Sequence, residues 1–126
     1  SKSGANFETE NKLMIKALNT ILGFKNKPTV ICCGNDRMAM NIYKLLNQRG
    51  LKIPDEISVI GFDNYTMISE LLEPGLTTVE LPYTEIGRKG GKKLLNIIED
   101  GYDKESKNLL EMVSGKIVWR NSLREI

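Results

Sequence analysis

The stretch PTVICCGND (residues 28–36), an amphipathic run ending at Gly50, and ISVIGFD (residues 57–63) together set the architecture of this chain. Two short apolar runs each end in a polar cluster, Gly34-Asn35-Asp36 and Gly61-Phe62-Asp63, and a helical pattern lies between them. That is the sequence form of a strand, a helix and a second strand parallel to the first. A right-handed crossover brings both polar clusters to one edge of the sheet. Open α/β sheets bind ligands at this carboxyl edge. Residues 29–33 and 57–62 are apolar without alternation, which predicts strands covered on both faces. Asp36 is expected to cap the following helix, since its carboxylate can accept a free amide of the first turn. That helix carries Ala39, Ile42, Tyr43, Leu45 and Leu46 toward the core, and Gly50 follows as a left-handed cap.

Outward from this unit, residues 7–24 read as a preceding helix stopped by Gly23, because Phe7, Leu13 or Met14, Ala17 or Leu18, and Ile21 or Leu22 recur at helical spacing. Residues 65–72 make a short surface helix ended by Pro74-Gly75, and residues 76–81 give a third strand. Pro82 opens a helix to Glu99 whose inward face reads Tyr83, Ile86, Gly87, Gly90, Gly91, Leu94 and Ile98. Two interior glycines cost about 1 kcal/mol each, and close approach of the helix to the sheet is the expected compensation. Residues 116–120 form a last strand, with Trp119 assigned to the core. The whole is an α/β fold, a three-layer parallel sheet with helices on both faces.

Composition narrows the function. With 126 residues the chain is one domain's worth, and 40% apolar and 27% charged content are ordinary for a globular protein. A net charge of +2 is no nucleic-acid footprint, and no apolar run approaches the ~20 residues of a membrane span. The opening Ser1-Lys-Ser-Gly-Ala5 holds no apolar signal core, so export is not indicated, and the lack of an initiator Met suits a fragment or processed product. Cys32 and Cys33 are adjacent in a strand, point to opposite faces, and read as buried small apolar residues in a reducing compartment. The chain has no histidine, which removes the commonest general base and metal ligand. No metal or cofactor is implied. Gly87-Arg-Lys-Gly-Gly91 falls inside a helix and fails the strand-to-helix context of a phosphate loop.

These residues carry a resemblance. The segment PTVICCGNDRMA (28–39) resembles P-T-A-[IV]-x-[CA]-x-N-D-x-M-A of the LacI/GalR family of bacterial transcription regulators. GLKIPDEISVIGFD (50–63) is similar to that family's G-L-x-[VI]-P-x-D-[IV]-S-V-[IV]-G-[FY]-D. Leu76-Thr-Thr-Val79 matches L-T-T-[VI], Gly87 matches the glycine of the next helix, and Ile117-Val-Trp-Arg120 with Ser122 resembles the closing L-V-x-R-x-S. Four motifs in order across residues 28–122 make the signal specific.

The resemblance implies part of an effector-binding domain with a fold like periplasmic sugar-binding proteins, mainly its second lobe. Residues 1–126 are then a partial domain in which about 82–113 cross toward a first lobe. In the family, Asn35 and Asp63 would bond effector hydroxyls, and an amide and a carboxylate suit that chemistry. Leu81 stands where relatives often have an effector-facing Gln, which makes a hexose bound in the usual way less expected. Asp36 is the minor ligand candidate. Segment 65–74 and the helix after Asp36 correspond to the family's subunit interface, which nominates Tyr43, Met67, Ile68, Leu71 and Leu72. The implied partners are a sugar-like effector, a second copy of the chain, and operator DNA through an N-terminal reader outside this sequence. The implied location is the cytoplasm, with no membrane. The alternative is a sugar-binding protein of a transporter; an enzyme using Asp36 or Asp63 as base finds no nucleophile pair, metal cluster or phosphate loop in support.

Overall fold

The computed structural model describes residues 2–101 and 110–125. In chain order the elements are α1 (Lys2–Leu22), β1 (Val30–Cys32), α2 (Asp36–Gln48), β2 (Ser58–Asp63), α3 (Thr66–Ser69), β3 (Thr77–Glu80), α4 (Tyr83–Asp100) and β4 (Ile117–Val118). The four strands form one sheet in the order β1-β2-β3-β4. β1, β2 and β3 run parallel, with Cys32 beside Ile60 and Asp63 beside Glu80. β4 pairs antiparallel to β3, so the sheet is mixed rather than parallel throughout.

The strand–helix–strand reading holds. α2 ends in a left-handed Gly50 (φ 72), the Gly50 amide donates to Asn47 O at 3.0 Å, and the Leu51 amide donates to Leu46 O at 3.0 Å. This paired closure satisfies carbonyls that the helix itself leaves open. Ala39, Ile42, Tyr43 and Leu46 of α2 are buried with Leu18, Ile31, Ile57, Val59 and Leu76 in one core. α1 begins before residue 7 and adds Leu18 to that core, whereas Leu13 is exposed.

The register sorts the side chains by face, because neighbours along a strand alternate and paired residues point the same way. Ile31, Val59, Gly61 and Thr78 share the face that α2 covers. Val30, Cys32, Ile60, Phe62, Val79 and Ile117 share the other. There Val30, Cys32, Phe62 and Ile117 are exposed, so the expectation of strands covered on both faces fails among the described residues. Cys32 is exposed rather than buried, and Trp119 is 70% exposed rather than core. A continuous apolar run records that no polar residue is needed; it does not supply the cover.

α4 departs furthest from expectation. Ile86, Leu94, Leu95 and Ile98 are all exposed, and a side chain at Gly87, Gly90 or Gly91 would meet nothing within 4 Å. The glycines therefore mark no close approach to this sheet. No described helix is long and apolar enough to cross a membrane.

Candidate functional site

The carboxyl ends of β1, β2 and β3 lie at one sheet edge, and the sequence-nominated ligand residues all reach it. Val30 pairs with Ser58, an offset of 28 positions, and Asn35 and Asp63 are separated by the same 63 − 35 = 28. Leu81 follows Glu80, the partner of Asp63.

The cap expected of Asp36 is supplied by Asn35. Asn35 has extended backbone (φ −161, ψ 169), and its Oδ1 accepts from the Met38 amide at 2.8 Å, so Asn35 is the helix cap. Asp36 is the first residue of α2 and only 1% exposed. Its Oδ1 accepts from Thr78 Oγ1 at 2.6 Å and its Oδ2 from the Tyr65 amide at 2.7 Å. A buried carboxylate is tolerated because both oxygens receive charge-assisted bonds near a helix N-terminus. Gly61 makes room for it: a Cβ there would collide with Asp36 Oδ1 and come within 2.7 Å of Leu76 Cδ2. Asp36 thus joins α2, β3 and the loop after β2, and its side chain is spent inside the fold.

That loop holds an unusual backbone. Asp63 has φ 117 and Asn64 φ 52, the positive-φ residues that are not glycine among those described. Such conformations cost about 1–3 kcal/mol each and persist only where surroundings over-determine them. Here the surroundings are explicit. The Asn64 amide donates to Thr78 Oγ1 at 3.3 Å, the Tyr65 amide is fixed by Asp36, and the Leu81 amide donates to Asp63 O at 3.3 Å. Arg120, half-buried, donates through Nη2 to Asn64 Oδ1 at 3.0 Å and through Nη1 to Leu76 O at 2.9 Å. Nearby, Ser122 Oγ donates to Val59 O at 2.6 Å and accepts from the Thr77 amide at 2.8 Å. Arg120 therefore clamps the loop that follows Asp63, and Ser122 ties together β2 and β3 behind it. Their motif was visible in the sequence; their target was not.

Asp63 stands half-buried in an open groove of about 810 Å³, with Leu81, Tyr65, Glu80, Tyr83 and Arg88 among its walls. Tyr83, at the start of α4, donates its hydroxyl to Asp63 Oδ1 at 3.3 Å. Asn35 lines a different, largely apolar groove of about 450 Å³ between α1 and the end of β1, with Cys33, Met38 and Leu18. The described residues thus place the three candidates at one edge but only Asp63 and Leu81 in one groove. Burial, with the charges of Cys32 and Asp36, pushes the Cys33 thiol up to about 12.

Of the nominated interface residues, Met67 and Leu71 are 65% and 76% exposed, Ile68 and Leu72 are half-buried, and Leu72 packs on the core. Tyr43 is buried within this chain and donates its hydroxyl to Pro74 O at 3.0 Å, which makes it a core residue that ties α2 to segment 65–74. Among the described residues no cluster of three or more His, Cys, Asp or Glu could hold a metal ion.

The fold agrees with that of similar proteins. The model of the periplasmic binding protein-like domain matches residues 2–123, and the chain belongs to that family. The HTH-type transcriptional repressor PurR of Vibrio campbellii is 36% identical over 121 residues, which is 96% of this chain and 34% of that protein. The chain thus spans about a third of the length of the curated relatives it matches. A LacI family regulator from Enterococcus faecalis solved with bound ribose is 30% identical, with a TM-score of 0.70 over 90% of this chain and 40% of that one. A LacI family regulator from Arthrobacter in complex with lactose is 25% identical, with a TM-score of 0.72 over 90% of this chain and 40% of that one. The LacI/GalR resemblance read from the motifs is therefore matched both in sequence and in fold.

Proposed function

We propose that this chain is most of the second lobe of an effector-binding domain in a bacterial transcription regulator, with a hydroxyl-rich small molecule bound against Asp63. The observation that carries the reading is the strained Asp63, clamped at the carboxyl edge of the parallel strands with its carboxylate open to a groove. Strain kept in place by Asp36, Thr78 and Arg120 is what a ligand-presenting residue requires and a mere loop does not. Asn35 supports the same edge from β1, and Leu81 supplies an apolar wall where relatives often carry an amide. The solved relatives with ribose and lactose make a sugar-like ligand the best-supported class.

The rest of the reading concerns the intact protein. About residues 82–113, of which 102–109 lie outside the described residues, cross toward a first lobe, which accounts for the exposed Leu94, Leu95 and Ile98 on α4. Met67 and Leu71 supply the apolar part of a homodimer contact beside α2. Operator DNA is contacted by a separate reader, the chain works in the cytoplasm, and it catalyses no reaction. Effector binding matters only through a difference in affinity between two lobe arrangements.

The test is calorimetric titration of the intact protein with ribose and with lactose, alongside Asp63→Asn. A sugar that binds should lose at least tenfold in affinity in the variant, since a lost bond to a charged group costs about 1.5–3 kcal/mol. Unchanged affinity would remove Asp63 from the site.

A further inference from the structure

We propose that Tyr83 is an internal competitor for this groove: its hydroxyl occupies the Asp63 carboxylate in the unliganded state, and an incoming ligand must displace it. This rests on the effector-site reading above.

The geometry carries the argument. Asp63 Oδ1 accepts from Tyr83 at 3.3 Å, while the backbone around Asp63 is fixed by bonds that leave this carboxylate turned to the groove. A hydroxyl on a carboxylate makes its strongest bond near 2.5–2.7 Å, so this one is long and readily exchanged. Tyr83 is 63% exposed, and its ring shares the groove wall with Leu81 and Pro82. Partial desolvation, then the Asp63 charge and bond, then the Asp36 charge, hold its phenol above the ordinary tyrosine range.

A placeholder of this kind sets a threshold for binding. A ligand with one hydroxyl replaces the tyrosine bond by an equivalent one and gains little. A vicinal diol can engage both carboxylate oxygens at once, one of which the tyrosine leaves unused. Displacing Tyr83 costs every ligand that takes Oδ1 the same amount, so the tyrosine sets how strongly a ligand must bind, and the carboxylate itself chooses between one hydroxyl and two.

The experiment titrates ribose into the intact protein and into its Tyr83→Phe and Asp63→Asn variants, by calorimetry. Tyr83→Phe should bind ribose about three- to tenfold tighter. If Asp63→Asn weakens ribose but Tyr83→Phe leaves it unchanged or weaker, the placeholder is wrong and the site stands. Should Asp63→Asn change nothing, the site reading itself fails. A readout without ligand completes the test: the tyrosine ring-carbon NMR signal that vanishes in Tyr83→Phe should titrate at lower pH in Asp63→Asn. An unmoved titration overturns the proposal whether or not ribose binds.

Discussion

α2 and α4 have much the same local pattern, an apolar stripe on an otherwise polar helix, yet only one of them is packed. α2 sinks Ala39, Ile42, Tyr43 and Leu46 against β2 and anchors its first turn through the buried Asp36. α4 leaves Ile86, Leu94, Leu95 and Ile98 exposed, and its described ion pairs are solvent-facing ones, Lys89 with Glu85 at 3.4 Å and with Glu111 at 2.7 Å. Exposed pairs of this kind contribute little. The difference teaches that amphipathicity specifies a face to be covered and not the surface that covers it. Both helices enter by a short link from the preceding strand, so the link does not decide whether the apolar face is covered.

Substitution at Asp36 should expose this contrast most strongly. Asp36→Ala strands the Thr78 hydroxyl and the Tyr65 amide without their acceptor, so urea denaturation should show a loss of about 3 kcal/mol. A loss below 1 kcal/mol would mean that α2 is anchored by its apolar face alone.

Alkaline titration tests the same body of the molecule. Burial, with the Cys33 and Glu73 charges and against a bond to Ser122, pushes the Tyr43 phenol up to about 12 from 10.0. Cys33 is likewise pushed up to about 12 from 9.0, chiefly by burial. Both groups release protons more easily when unfolded. Their stabilising contribution is therefore complete below pH 9 and is lost as the pH climbs toward 12. Thermal melts between pH 8 and 11 should fall steadily; Tyr43→Phe with Cys33→Ala should flatten the decline, and a slope unaltered in that double variant would contradict the assignment.

A smaller effect of opposite sign is expected at Asp63. Glycine accepts φ 117 without strain, so Asp63→Gly should gain about 1 kcal/mol while the effector response disappears. Loss of stability instead would show that the Asp63 side chain supports the fold. The least change is expected on α4. In this chain Leu94→Ser with Ile98→Ser should alter stability by no more than about 0.5 kcal/mol, as for exposed positions generally. A loss of 2 kcal/mol would show that α4 packs as α2 does.

Much of the frame was legible because it depends on local periodicity. The strands around residues 30 and 60, the helix between them, the Gly50 cap and the shared carboxyl edge all follow from patterns a few residues long. The site was legible in part. Asn35, Asp63 and Leu81 were placed at the right edge, but the cap went to Asp36 instead of Asn35, because both side chains can accept an amide and only the backbone angles separate them. Tyr43 was read as core-facing from the period of α2 and as an interface residue from its family position; its burial bears out the first, and its bond to Pro74 O is a tertiary fact.

The sequence by itself determined the order of elements, the parallel pairing of the first strands and the polar residues delivered to their ends, since hydrophobic period and turn chemistry act between near neighbours. Only the tertiary structure decided that Asp36 would be buried, that Asp63 would be held at a positive φ, that Arg120 would clamp Asn64 from 56 positions away, and that Tyr83 would reach the Asp63 carboxylate. Those outcomes depend on groups distant in the chain meeting in space, where burial and hydrogen-bond geometry choose among side chains that local sequence leaves equivalent.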